Sequence, residues 1–155
     1  MSNASHISLH RSRLQQLRDL AASTGTTVSE TINRLISEKI EAGELPDTVP
    51  GFEVSTRSGG VVMRLDKLEL PAFDPKSAAD LADDLQMLVD TQAHPGRTAT
   101  FPGAGKLVFA RRGTGFTVAY TVGGVEIGRK TATRGILLDV ARNLRTAALD
   151  ILRTH

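Results

Sequence analysis

The chain has 155 residues, 40% of them apolar and 23% charged, a formal net charge of +2 and no cysteine. That length suits one domain or two small ones, the missing cysteines exclude disulfides and thiolate metal sites, and no apolar run approaches the length of a membrane-spanning helix. The net charge conceals an asymmetry: residues 1–45 carry five Lys/Arg and five Asp/Glu, residues 46–96 four and nine, and residues 97–155 ten and three, for balances of 0, −5 and +7. The basic last segment predicts either contact with nucleic acid or packing beside the acidic middle segment.

The opening MSNASHIS has neither the basic nor the apolar region of a signal peptide, so a cytoplasmic protein is expected. His6, Ser8 and His10 then alternate with Ile7 and Leu9, which predicts a strand over about residues 5–10. The spacing changes at once to Leu14, Leu17 and Ala21, with Leu20 beside them, the period of a helix. Ser12 and Gln15 stand at the spacing of a capping box, and Gly25 suits the left-handed residue after the helix. Thr27 and Glu30 form a second box, T-V-S-E, opening a helix with the stripe Val28, Ile32, Leu35, Ile36 and Ile40, closed by Gly43. A lone five-residue strand is not stable in water, and nothing nearby forms a hairpin with it. Forty residues are also too few to bury both stripes. The predicted partner is the same segment of a second chain.

Residues 44–51, ELPDTVPG, read as a linker. Residues 52–155 contain an internal repeat: a short strand, an Arg-Gly turn (Arg57 to Gly60, Arg112 to Gly115), an alternating strand, a third strand and a helix. The helices share ADLADDL against LDVARNL. The offset between copies is 55 residues at the turns and 59 at the helices, with the difference in the third-strand region. The prediction is two β-β-β-α units sharing one sheet, with Gly59-Gly60 and Gly123-Gly124 in hairpin turns and residues 93–105 as the loop between copies.

Catalytic chemistry is sparse. The four histidines, His6, His10, His94 and His155, lack H-E-x-x-H spacing, and PGAGKL lacks the first glycine and the Ser/Thr of a phosphate-binding loop. Asp80 and Asp84 share a helix face by spacing, which reads as a solvated acidic face rather than an acid/base pair. No nucleophile–base pair stands out, so neither an enzyme nor a cofactor is expected.

The stretch ISLHRSRLQQLRDLAASTGTTVSETINRLI resembles a ribbon-helix-helix domain of the CopG/Arc/MetJ type. The matching features are the alternating strand, a helix ending at Gly25 and the G-T-T-V-S-E-T-I entry to the second helix; the resemblance covers residues 1–43. It implies a homodimer, or a higher oligomer built from one, whose paired strands enter the major groove of double-stranded DNA. The base-contacting role then falls on His6, Ser8 and His10. The resemblance assigns a phosphate clamp to Thr27, Val28 and Ser29 at a helix N-terminus, and Arg11 and Arg13 flank the ribbon as further phosphate partners. Histidine offers one ring N–H when neutral and two when charged, so such a readout depends on pH.

The expected architecture is therefore α+β, a β-α-α dimerisation domain followed by a repeat domain. The expected function is a sequence-specific transcriptional regulator, a repressor. The alternative is an antitoxin-like or other interaction module in which the first unit dimerises and residues 52–155 bind a protein partner.

Overall fold

A computed structural model describes residues 6–154 of the chain. The protein is α+β, with four helices and two antiparallel sheets among the described residues. It divides into two compact units between Asp47 and Thr48.

The first unit contains two helices, α1 (Arg11–Thr24) and α2 (Val28–Glu41). Residues 6–10 belong to no helix or sheet, and Ser5 lies outside the described residues. The predicted β-α-α order is thus corrected to helix–helix within one chain. The reason is that a strand exists only through a ladder, and among the described residues no strand pairs with residues 6–10. The first predicted cap is corrected too. The helix starts at Arg11, so Ser12 already lies in its first turn, and its N–H donates to Nδ1 of His10 at 3.3 Å. Gln15 donates instead to Asp19, at 2.8 Å.

Gly25 ends α1 with φ 65°, and the Thr26 N–H returns to Ala21 O at 2.9 Å. The second capping box forms as its spacing predicts. The Glu30 N–H donates to Thr27 Oγ1 at 3.1 Å, and the Thr27 N–H to Glu30 Oε2 at 2.8 Å.

The second unit runs β1 (Phe52–Arg57), β2 (Gly60–Leu65), β3 (Leu68–Glu69), α3 (Pro75–Asp90), β4 (Gly96–Phe101), β5 (Gly105–Arg112), β6 (Gly115–Val122), β7 (Val125–Ala132) and α4 (Arg134–Thr154). The repeat shows as β1-β2-β3-α3 against β5-β6-β7-α4. Both Arg-Gly turns close hairpins, pairing Arg57 with Gly60 and Arg112 with Gly115. Gly123 and Gly124, at φ 57° and 80°, make the tight turn from β6 to β7. The third strand is two residues long in the first copy and eight in the second, which is where the two offsets differ.

Two expectations fail here. The copies do not share one sheet: the strands form a three-stranded sheet, β1-β2-β3, and a four-stranded one, β4-β5-β6-β7. The segment 93–105 is not all loop, because its residues 96–101 form β4 and pair in register with β5. Its alternation, RTATF, is masked in the sequence by flanking Pro and Gly, which read as turn signals. PGAGKL supplies the β4–β5 turn. A Cβ on Gly105 (φ 126°) would lie 2.3 Å from the Thr121 carbonyl oxygen, so that corner requires glycine.

Both sheets and both helices contribute to one core. Met63, Leu85, Leu88, Leu107, Phe109, Leu137 and Leu144 are fully buried in it. Helices α3 and α4 run antiparallel, as the pairs Arg134–Asp90 (2.9 Å) and Arg145–Asp83 (2.8 Å) require.

Helix α3 is closed chemically at both ends. The Asp74 carboxylate accepts from the Ser77 N–H at 2.9 Å and the Ser77 hydroxyl at 2.5 Å, and Pro75 occupies the first turn. At the other end the Arg111 guanidinium donates to the carbonyls of Leu88 and Thr91. The Ser77 hydroxyl and amide together hold the Asp74 carboxyl below its ordinary value. The stability this cap contributes is complete above the unfolded aspartate value of about 3.9. It is lost as pH falls through the lowered folded value. Asp74→Ala is expected to cost about 1 kcal/mol near neutrality. The variant and the parent should converge in stability on acidification, read by urea denaturation at a series of pH values.

Candidate nucleic-acid interface

The side chains nominated as base readers, His6, Ser8 and His10, are all exposed. Ile7 and Leu9 between them are exposed as well, at 80% and 45%. Thus neither face of the segment is covered by its own chain. The capping bond constrains His10 further. Its Nδ1 accepts from the Ser12 N–H, so the neutral ring carries its proton on Nε2 and presents a single outward donor.

Thr27, Val28 and Ser29, expected to hold a phosphate, lie where α1 turns into α2. Thr27 is the cap, and Glu30 takes the Thr27 N–H. The Glu30 N–H is spent on Thr27 Oγ1 and the Thr31 N–H on Thr27 O. Among the described residues nothing meets the amides of Val28 and Ser29, the donors at the positive end of the helix dipole. Ser29 is exposed and Val28 half-buried. Arg11 and Arg13 are exposed on the first turn of α1; Arg13 bonds Gln16 at 2.8 Å, and no acid pairs with either among the described residues. No hydrogen bond links residues 6–10 to the Thr27–Ser29 turn, and the 14 residues of α1 lie between them in the chain.

One residue of this unit escapes pattern reading. Thr31 is fully buried, and its hydroxyl donates to Thr27 O at 3.0 Å and lies 3.1 Å from Thr26 Oγ1. It braces the turn between α1 and α2. The sequence signal is its place four residues after the cap, where a hydroxyl reaches back to the preceding turn.

Four cations of the basic segment pair with the acidic one: Arg97, Lys130, Arg134 and Arg145 meet Asp84 (3.5 Å), Asp66 (2.6 Å), Asp90 (2.9 Å) and Asp83 (2.8 Å). Of the two readings of the charge asymmetry, mutual packing is the one these pairs realise.

Comparison with protein-family models, with curated proteins and with solved structures finds no match to the chain. Among the described residues no helix is long and apolar enough to cross a membrane.

Proposed function

We propose that the protein is a dimeric, sequence-specific DNA-binding regulator of the ribbon-helix-helix kind, acting as a repressor. The observation that carries this reading is the uncovered apolar surface of the first unit. Of its apolar residues in α1 and α2 only Ala21 is buried; Leu20, Ile32, Leu35 and Ile36 keep 36–43% of their surface exposed. Such a set is costly in water and is relieved by a copy of itself. A two-fold axis places the same segment opposite itself. Residues 6–10 then gain the ladder that one chain lacks, with Ile7 and Leu9 turned to the helices and His6, Ser8 and His10 to the groove. The single outward N–H of His10 suits a purine N7 or guanine O6 acceptor. The free amides of Val28 and Ser29 hold a phosphate, and Arg11 and Arg13 supply charge beside it.

The internal pairing of the basic segment favours a protein-binding role for the second unit over a DNA-binding one. The test is fluorescence anisotropy of the full chain on a duplex from its own promoter and on a scrambled duplex, over a salt series. The triple substitution His6→Ala, Ser8→Ala, His10→Ala is expected to erase the preference between duplexes and leave the dimer intact. A preference that survives the triple substitution, or none in the parent at low salt, supports the interaction-module reading instead.

A further inference from the structure

Strand β4 is an edge of the four-stranded sheet. The Arg111 N–H bonds Pro95 O at 2.8 Å, and the same register continues through Arg97–Phe109, Ala99–Leu107 and Phe101–Gly105. By antiparallel alternation the backbones of Arg97, Ala99 and Phe101 face β5, and those of Thr98 and Thr100 face away from the sheet. No turn, cap or side chain among the described residues meets the N–H or C=O groups of Thr98 and Thr100.

Natural edges are blunted by brevity, charge, proline or a bulge. Strand β3 is two residues long, and β7 carries Arg129 at an outward position and a register shift against β6. The outward positions of β4 have none of these devices. Beside this edge Ser77, Asp80 and Asp84 of α3, with Phe73, Thr98 and Thr100, line an open cleft of about 200 Å³. Asp80 is exposed and pairs with no cation among the described residues. Asp84 shares Arg97 at 3.5 Å and keeps 48% of its side chain exposed.

We propose that the β4 edge and α3 form a docking groove for an extended, basic peptide segment of a protein partner. The segment adds to the sheet as a fifth strand through the N–H and C=O groups of Thr98 and Thr100. Its Lys or Arg side chains meet Asp80 and Asp84. Main-chain bonding of this kind supplies affinity, and the flanking side chains supply selection. Charge decides the occupant: a second β4 would bring its own Asp80 and Asp84 to the same place, and DNA would bring phosphates, whereas a basic segment meets opposite charge. This groove is independent of the DNA-binding proposal.

The probe is a fluorescein-labelled peptide of about ten residues, the length of a long strand, alternating Val/Thr with Lys/Arg. It is titrated into the full chain by anisotropy beside an analogue with Glu for each Lys and Arg. Saturable binding of the basic peptide alone is expected. Thr98→Pro removes one outward donor at a position where an edge tolerates proline, and is expected to weaken binding at least about tenfold with an unchanged circular dichroism spectrum. Asp80→Lys alters an exposed, unpartnered carboxylate and is expected to weaken it about as much. Failure of the parent to saturate, equal binding of the acidic analogue, or unchanged affinity in a folded Thr98→Pro chain overturns the proposal. If Thr98→Pro does not fold, unchanged affinity in Asp80→Lys alone does so.

Discussion

With Leu35→Asp and Ile36→Asp together, the chain is expected to sediment as a monomer and to lose measurable binding to its promoter duplex. Both side chains lie on the apolar surface of α2, 38% and 43% exposed in the single chain. A substitution there changes little within one copy. In a dimer it buries a carboxylate against apolar groups with no cation to meet it. An unpaired buried charge of this kind costs about 3–5 kcal/mol. That corresponds to a rise in the dimer dissociation constant of about two orders of magnitude or more. DNA binding falls with it, because a single residue 6–10 segment has no partner with which to form a ribbon. The helical signal should fall as well, since 14-residue helices are marginal in water without packing. Sedimentation equilibrium and anisotropy on the same preparations decide the matter. A parent chain that sediments as a monomer at micromolar concentration, or a double variant that dimerises as tightly as the parent, would falsify the dimeric reading.

Phe109→Ala is expected to remove a large share of the stability of the second unit. Phe109 is fully buried at the centre of β5, with Arg97 opposite on β4 and Val118 opposite on β6. Truncating a buried phenylalanine loses its transfer free energy and leaves a cavity, together about 3–5 kcal/mol. Domains of this size are stable by only about 5–15 kcal/mol. A fall of roughly 15 °C or more in the thermal midpoint of the second unit follows, and scanning calorimetry of the full chain reads it. A shift of only a degree or two would mean that the core redistributes around position 109 and that the two sheets do not depend on it.

Several features are legible in the sequence because their causes are local. The capping box at Thr27 and Glu30 involves four consecutive residues. Gly25 and the Gly123-Gly124 pair need only a backbone free to adopt positive φ. The hairpins at Arg57 and Arg112 follow from turn chemistry between alternating runs. The stripes of α1 and α2 are readable as well, although a stripe does not say what covers it. Local cues mislead where they compete. At His10 a ring nitrogen outranks Ser12 as the cap, because the helix starts two residues earlier than the Ser12–Gln15 spacing implies. At residues 96–101 the alternation of RTATF is outweighed by the prolines and glycines on either side.

Composition and spacing alone thus establish two helices with the Gly25 and Thr27–Glu30 caps, a proline-containing junction, and two related β-and-α runs, since each depends on neighbours a few residues away. Only the folded chain reveals that the strands divide into two sheets, that Arg97, Lys130, Arg134 and Arg145 face aspartates of the acidic segment, and that the bare edge of β4 lies against Asp80 and Asp84. These are contacts between residues from 13 to 64 positions apart in the chain. Such pairings are decided by how the apolar faces close over a common core, a global balance that no short window of sequence contains.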